Sequence, residues 1–351
     1  MPIDVLIVGQ GLAGSLLAWE LLRQQMRVIV IDTGSENASK VAAGLLNPVT
    51  GQRLVKSTDI EYLLPAALDC YQLCAREFKQ DFFVPMPMLR ILKNAREQQS
   101  AQQRLQQAEY QAFLRECHDI PSTLMAGFGV LQQQQTGYLK TRSLLKKLQG
   151  FFVARESYRQ TRLDYQDISL QPNLNWLDIK PQHIVFCEGQ HGRQNPWFGG
   201  LPFQPAKGEI LSCQTDTNCP NLILNFGYWL IPHGTNHFRI GATFQPGQTD
   251  TTPTEQAKQS LLQALLAVYP GLESIEVLAH QVGIRPTTLD KQPFVGSHPR
   301  QTNLHIFNGF GAKGSLSIPW YARQFVSALK QQSKIPSNGH VQRYYETHFP
   351  V

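Results

Sequence analysis

Ile3-Asp4-Val5-Leu6-Ile7-Val8 runs without a spacer into Gly9-Gln10-Gly11-Leu12-Ala13-Gly14. Ala13, Leu16, Leu17 and Leu21 then recur at helical spacing, and a second apolar run, Val28 to Ile31, ends on Asp32. Strand, Gly-x-Gly-x-x-Gly turn, helix, strand and terminal acid, in that order, predict a dinucleotide-binding βαβ unit. Gly9 permits the tight turn out of the strand, Gly11 lets the backbone approach a pyrophosphate, and Gly14 lets the helix pack close to the sheet. Leu12 and Ala13 open the helix, whose unpaired N–H groups and positive dipole end would face the phosphates. Asp32 lies about 18 residues past Gly14, near the spacing at which an acid accepts hydrogen bonds from a ribose. Thr33 beside it belongs to the same expected contact. A 2′-phosphate would be repelled there, which disfavours NADP. The turn alone does not separate FAD from NAD.

The 351 residues suffice for two domains. A composition 42% hydrophobic and 17% charged is ordinary for a globular protein. The net charge of +6 is mildly basic. Its lysines and arginines are scattered, and Arg142, Lys146 and Lys147 read as a solvated helix face, so the nucleic-acid footprint is weak. Six cysteines, at 70, 74, 117, 187, 213 and 219, include no Cys-x-x-Cys pair and no accompanying histidine cluster. No metal site is expected; the thiols read as reduced and mostly buried in a cytoplasmic protein. The N-terminal apolar run carries Asp4, lacks a basic flank and is broken by the glycine turn, so it is not read as a signal peptide. No apolar stretch approaches the length of a membrane span.

Further along, residues 41–48 form a run of small residues ending on Pro48, and residues 59–79 read as helix. Residues 82–92 read as an irregular or edge strand marked by Pro85 and Pro87, residues 95–116 as a surface helix, and Gln132 to Gln135 as exposed turn or strand. A short helix is expected over 139–148, a strand over 151–155, and a buried strand over 184–189 ending on Gly189. Residues 202–243 are strand-rich, with turns expected at Gly208, Pro220 and His233-Gly234. Thr252-Pro253-Thr254-Glu255 reads as a capping box opening a helix to Tyr269. Extended pieces follow at 282–287 and 294–296. Leu304 to Asn308 reads as a strand broken by Gly309-Phe310-Gly311-Ala312-Lys313-Gly314, and a long helix runs from there to about Lys330. The expected fold is mixed α/β (α+β): a Rossmann-like cofactor domain from residues 1–80, 138–200 and 281–351, and a strand-rich substrate domain with an antiparallel sheet from 81–137 and 201–280.

These motifs, in their order, resemble the FAD-dependent D-amino-acid oxidase superfamily, which includes glycine oxidase, sarcosine oxidase and the FAD domain of a tRNA-modifying enzyme. The resemblance rests on Gly9 to Gly14 with Asp32, on Ala42-Ala43-Gly44, on Ile184 to Gly189, and on Tyr228-Trp229-Leu230-Ile231-Pro232 with Ile240-Gly241-Ala242-Thr243. It continues in Gly283-Ile284-Arg285-Pro286-Thr287, Pro293 to Gly296 and Gly309 to Gly314. It implies FAD, with Ala43 and Gly44 beside the flavin ring, Gly189 ending a strand next to it, and Gly309, Gly311, Ala312, Lys313 and Gly314 wrapping its pyrimidine end. It implies that Arg285 grips a substrate carboxylate as a bidentate fork, that Tyr228 lies near the substrate, and that Lys313 adds charge at the flavin or helps oxygen react. His233 reads as a turn histidine. No cysteine stands where sarcosine oxidase attaches its flavin, so FAD is expected to be noncovalent.

The activity so implied is oxidation of a C–N bond in a small carboxylate-bearing amine or amino acid, with hydride passing to flavin N5. Three alternatives stand beside it. One is an FAD-dependent enzyme acting on a carboxymethylamino base in tRNA, one a non-catalytic FAD-binding protein, and one a hydroxy-acid dehydrogenase of similar fold.

Overall fold

A computed structural model describes residues 3–272 and 274–349. Residues 1, 2, 350 and 351, the outer ends of the expected cofactor domain, lie outside the described residues.

Six strands form one sheet in the order Tyr158–Gln160, Val28–Asp32, Ile3–Val8, Pro181–Phe186, Leu304–Asn308, Phe294–Ser297. The first five are parallel and the last is antiparallel to its neighbour. The glycine turn leads into the helix Leu12–Arg23, which packs against the last long helix, Gly314–Leu329. Apolar side chains cover both faces of the sheet: Val5, Ile7, Val28 and Val30 join the helical side, and Leu6, Ile29, Ile184 and Ile306 the other. Burial on both faces explains why these strands read as continuous apolar runs.

A second, nine-stranded sheet follows the order Gln245–Pro246, Ala206–Gln214, His237–Gly241, Trp229–Pro232, Ile223–Asn225, Met88–Ile91, Val130–Gln133, Leu114–Glu116, and Glu276–Arg285 pairs with the other side of Ala206–Gln214. The sequence boundary at residue 281 falls inside this last strand. The helix Glu255–Val268 covers one face through Leu261 and Leu265.

Several local expectations change. The run 151–155 is not a strand. Leu144, Leu148 and Phe152 continue a helical face, so the helix extends over Thr141–Val153 and the strand comes later, at Tyr158–Gln160. The helix expected over 95–116 stops at Leu105, and Leu114–Glu116 becomes the outer strand of the large sheet. Residues 82–92 split into Phe83–Pro85 and Met88–Ile91, and the second piece lies inside the large sheet rather than at its edge. Gln133 is buried, and its amide donates to the Val49 carbonyl at 2.8 Å. Gly208 is not a turn but the middle of Ala206–Gln214.

The capping box also shifts by two residues. Thr254 is the N-cap, and its Oγ1 accepts from the Ala257 N–H at 3.3 Å. The reciprocal carboxylate comes from Glu209, which is fully buried and accepts from Thr254 N and Oγ1 at 2.8 and 2.9 Å. A long-range partner thus takes the role that a local glutamate usually fills.

At Gly14 a Cβ would fall on the Gly9 carbonyl oxygen and press on the Cys187 side chain, whereas one at Gly150 would meet nothing within 4 Å. Gly14→Val is therefore expected to lose about 3 kcal/mol of unfolding free energy by overpacking. Gly150→Ala, inside a helix, is expected to gain about 0.5–1 kcal/mol. Denaturant titration of both variants checks the pair, and a Gly14→Val protein as stable as the parent would contradict the close approach.

Candidate functional site

The carboxyl ends of Ile3–Val8, Val28–Asp32, Pro181–Phe186 and Leu304–Asn308 open onto a cavity of about 1520 Å³ whose opposite wall is the large antiparallel sheet. Single-ligand sites usually fall between about 300 and 1,000 Å³, so this space accommodates a large ligand together with a second, smaller one.

At one end stands the glycine turn. The helix Leu12–Arg23 begins without a side-chain cap, and the Leu12 N–H donates to Ser39 Oγ at 3.0 Å. Asp32 accepts from the Gln10 and Gly34 backbone N–H groups at 2.7 and 2.6 Å, which fixes its carboxylate in the lining. Glu188 lies next to Gly189. Its carboxylate accepts from the Tyr165 hydroxyl at 2.6 Å and from Asn195 Nδ2 at 2.9 Å. Burial raises its pKa above the ordinary value, and those two hydrogen bonds only partly oppose the rise.

The loop Ala42-Ala43-Gly44 runs along the cavity. Arg239, from the large sheet, holds it by donating to the carbonyls of Val41 at 2.5 Å and Ala42 at 3.2 Å. At the other end Gly311–Lys313 forms a turn of 3₁₀ helix that leads into Gly314–Leu329, again with no side-chain cap. The Lys313 stem is exposed, but its ammonium reaches the buried Ser57 hydroxyl at 3.1 Å. Burial of that end lowers its pKa, and Lys291 adds to the effect.

Arg285 ends its strand in the same wall. Its guanidinium lies over Gly208 so closely that a Cβ there would collide with it, and Nη1 donates to the Thr243 carbonyl at 3.1 Å. No carboxylate of the described residues lies within 4 Å of it. Burial lowers its pKa, though a guanidinium stays charged at neutral pH.

Most of the residues singled out from the sequence meet in this one cavity: Gly9, Gly11, Leu12, Ala13, Asp32, Thr33, Ala43, Gly44, Gly189, Arg285, Gly311, Ala312, Lys313 and Gly314 line it. Three do not. Gly14 packs beneath the helix and Gly309 against Thr288 and Phe294, so both shape the wall from behind. Tyr228 points away and packs with Phe226 and the helix-covered core, while its neighbour Trp229 lines the cavity. Tyr228 lies in the bend before the strand Trp229–Pro232, and Trp229 is the aromatic side chain that this strand puts in the lining. His233 sits at a hairpin turn outside the main lining. Ser39, Glu188, Asn225 and Arg90 also line the cavity and were not anticipated; their places depend on which strands become neighbours.

A family model described as FAD dependent oxidoreductase matches residues 4–328. The chain belongs to this family. Along 343 residues it is 25% identical to the tRNA 5-methylaminomethyl-2-thiouridine biosynthesis bifunctional protein of Idiomarina loihiensis, covering 93% of this chain and 55% of that protein. It thus spans about half the length of that relative. The glycine oxidase of Geobacillus kaustophilus is 24% identical over 346 residues, covering 90% of each chain. A crystal structure of a glycine oxidase from the same organism superposes with a TM-score of 0.83 at 19% identity, covering 95% of this chain and 98% of that one. That likeness concerns the fold. The cavity itself fits the family's cofactor. Gly189 leaves open space where a Cβ would intrude, and a helix start lies at each end, that of Gly314–Leu329 without a side-chain cap and that of Leu12–Arg23 with its Leu12 N–H taken by Ser39 Oγ. No helix among the described residues is long and apolar enough to cross a membrane.

Because the fold favours protonated Glu188, a stability cost is absent below the ordinary carboxyl pKa, builds up as pH rises from there, and is complete above the raised pKa. Glu188→Gln is expected to be more stable than the parent at pH 8 and to lose that advantage near pH 4. Melting temperatures of both proteins across this range test the sign.

Proposed function

We propose that this chain oxidises the C–N bond of a small carboxylate-bearing amine or amino acid, using noncovalently held FAD. Arg285 carries the reading: a part-buried guanidinium that faces the cavity and has no carboxylate within 4 Å among the described residues is suited to receive a carboxylate brought by a ligand. Gly9 to Gly14, Asp32 and Thr33 would hold the adenosine diphosphate half of FAD, and Gly189 and Gly311 to Gly314 would hold the flavin end. Bound FAD supplies a two-electron, hydride-accepting oxidant for the carbon next to nitrogen, and the resulting imine is then open to hydrolysis.

The protein's share is placement and exclusion. Arg285 orients the carboxylate, Trp229 supplies an apolar wall in place of Tyr228, and the Gly314–Leu329 helix start with Lys313 offers positive potential where negative charge would gather. No acid–base pair is required if the amine enters uncharged. Cys187, the cysteine in the lining, is buried against Gly14, which supports noncovalent attachment. Six free thiols support a reducing, cytoplasmic setting. We assign residues 1–80, 138–200 and 286–351 to the cofactor part and the remainder to the substrate part.

A second reading, in which the amine is carried on tRNA, draws support from the bifunctional relative and from a smaller adjoining pocket of about 240 Å³ lined by Lys40, Lys140, Arg142 and Arg239. Salt-dependent retention of tRNA by the purified protein would favour it. Its absence, together with anaerobic flavin reduction by free amino acids, would favour the first.

Arg285→Ala is expected to raise KM for an amino-acid substrate about 100-fold, the loss of a charge-assisted pair, with flavin content unchanged. Arg285→Lys should recover little, because an ammonium lacks the planar fork. Steady-state kinetics on the FAD-loaded variants decide it, and an unchanged KM would remove Arg285 from the substrate site.

A further inference from the structure

The smaller pocket beside the main cavity, about 240 Å³, is lined by Lys40, Lys140, Arg142 and Arg239 and by no carboxylate. Ala42, Arg142 and Gln281 line both spaces, so the two adjoin. Of the four cations only Arg142 meets an acid, Glu36, at 2.7 Å. Lys40 donates to the Gly34 and Ser35 carbonyls at 2.9 and 2.7 Å, and Arg239 to those of Val41 and Ala42. Neutral carbonyls hold these groups in place and leave their charge unanswered. The Lys140 ammonium has no hydrogen bond or ion pair among the described residues. The charges act on one another: burial lowers the pKa of His233, also in the lining, and Arg239 and Lys140 lower it further. A cleft lined by one sign of charge concentrates the opposite one.

The helix that starts at this pocket adds to the imbalance. Thr141–Val153 has Lys140 as its N-cap, with no side-chain hydrogen bond, and no acid in its first turn. Helix starts ordinarily take Ser, Thr, Asp or Asn as cap and favour an acid close behind. Here Lys140 and Arg142 stand instead at the positive end of the dipole, an arrangement that an anion from outside would relieve. Tyr138 is a separate sign. It is only 6% exposed, and it lines this pocket and not the main cavity. Its ring stands edge-on to the His233 imidazole at 5.3 Å. Its hydroxyl makes no hydrogen bond among the described residues and is not sealed from solvent, so the small exposed part of Tyr138 includes the hydroxyl. Burial alone raises its pKa, which leaves it a proton donor at neutral pH. A tyrosine hydroxyl in so buried a side chain usually has a partner.

We propose that this pocket binds a terminal phosphate monoester as its dianion. Lys140, the Tyr138 hydroxyl and the first amides of Thr141–Val153 are its donors, and Lys40 and Arg239 supply positive charge. A phosphodiester, as in an RNA backbone, carries a single charge and must leave the pocket in two directions. A monoester carries nearly two and enters by one. The site stands independently of the amine-oxidising reading. Because Arg239 also holds the Ala42-Ala43-Gly44 loop, the ligand lies against the segment that runs along the main cavity.

The test titrates methyl phosphate and dimethyl phosphate into the FAD-loaded protein by calorimetry at pH 8 and constant ionic strength, with FAD present to occupy the glycine turn. At that pH the monoester, whose second pKa is about 6, is a dianion. Methyl phosphate is expected to bind at least about tenfold tighter than dimethyl phosphate. Lys140→Met should weaken methyl phosphate at least about tenfold, and Tyr138→Phe about fivefold, the worth of one hydrogen bond. Lys147→Met, the same loss of charge on the exposed face of the same helix, should leave affinity within about twofold. A rise in melting temperature with methyl phosphate reports binding where the heat is small. No binding by either measurement overturns the site, as does an affinity untouched by both Lys140→Met and Tyr138→Phe or lowered as much by Lys147→Met. Equal affinity for the two esters also overturns it, and returns the pocket to an RNA backbone.

Discussion

A close approach of backbone at Gly14 sets the rest of the site. Gly14 lies against the Gly9 carbonyl and the Cys187 side chain, with no room for a Cβ. This lets the helix Leu12–Arg23 start directly on the edge of the parallel sheet, so its first amides and dipole face the space above the strand ends. The neighbouring strand leaves that edge through Cys187, Glu188 and Gly189, and Val28–Asp32 delivers Asp32 beside it. One packing constraint thus brings three chain segments to a common rim.

The second constraint joins the two sheets. Arg239 reaches from the antiparallel sheet to the carbonyls of Val41 and Ala42. Charge-assisted hydrogen bonds of this kind contribute about 1.5–3 kcal/mol each. Burial lowers the pKa of Arg239 to about 10, with Arg142 adding to the effect, so the group remains charged at neutral pH. The Leu139 N–H donates to the Gly44 carbonyl at 2.8 Å and holds the other end of the loop. The loop Ala42-Ala43-Gly44 is thereby fixed as a seam between the rim of the parallel sheet and the wall formed by the large sheet.

Much of this was legible beforehand, and the exceptions share a cause. The βαβ unit, the last strand and the glycine turn before the last helix follow from local patterns, because period, turn chemistry and caps act over a few residues. Arg285 was legible through a family motif. Trp229 was passed over for Tyr228 because residue type does not say which of two adjacent aromatics the chain turns toward a cavity. Phe151 to Arg155 looked like a strand because a short apolar run has no period of its own, and the Leu144–Leu148–Phe152 face decided for helix. Gln133 looked exposed in a polar run until Val49 and Asn47 closed over it. Thr254 took the cap because its carboxylate partner, Glu209, stands on a distant strand.

The amino-acid sequence by itself determined the parallel sheet and the position of its dinucleotide turn, since each follows from residue type and spacing within one segment, and a family motif singled out Arg285. Only the tertiary structure decided that Gly208 makes room for Arg285, that Arg239 holds the Ala42 loop, and that Gln281, Ile210, Gly241, Trp229, Asn225 and Arg90 share one row. The register between strands is set by long-range packing and hydrogen bonding, and no local pattern encodes which residues of distant segments stand side by side.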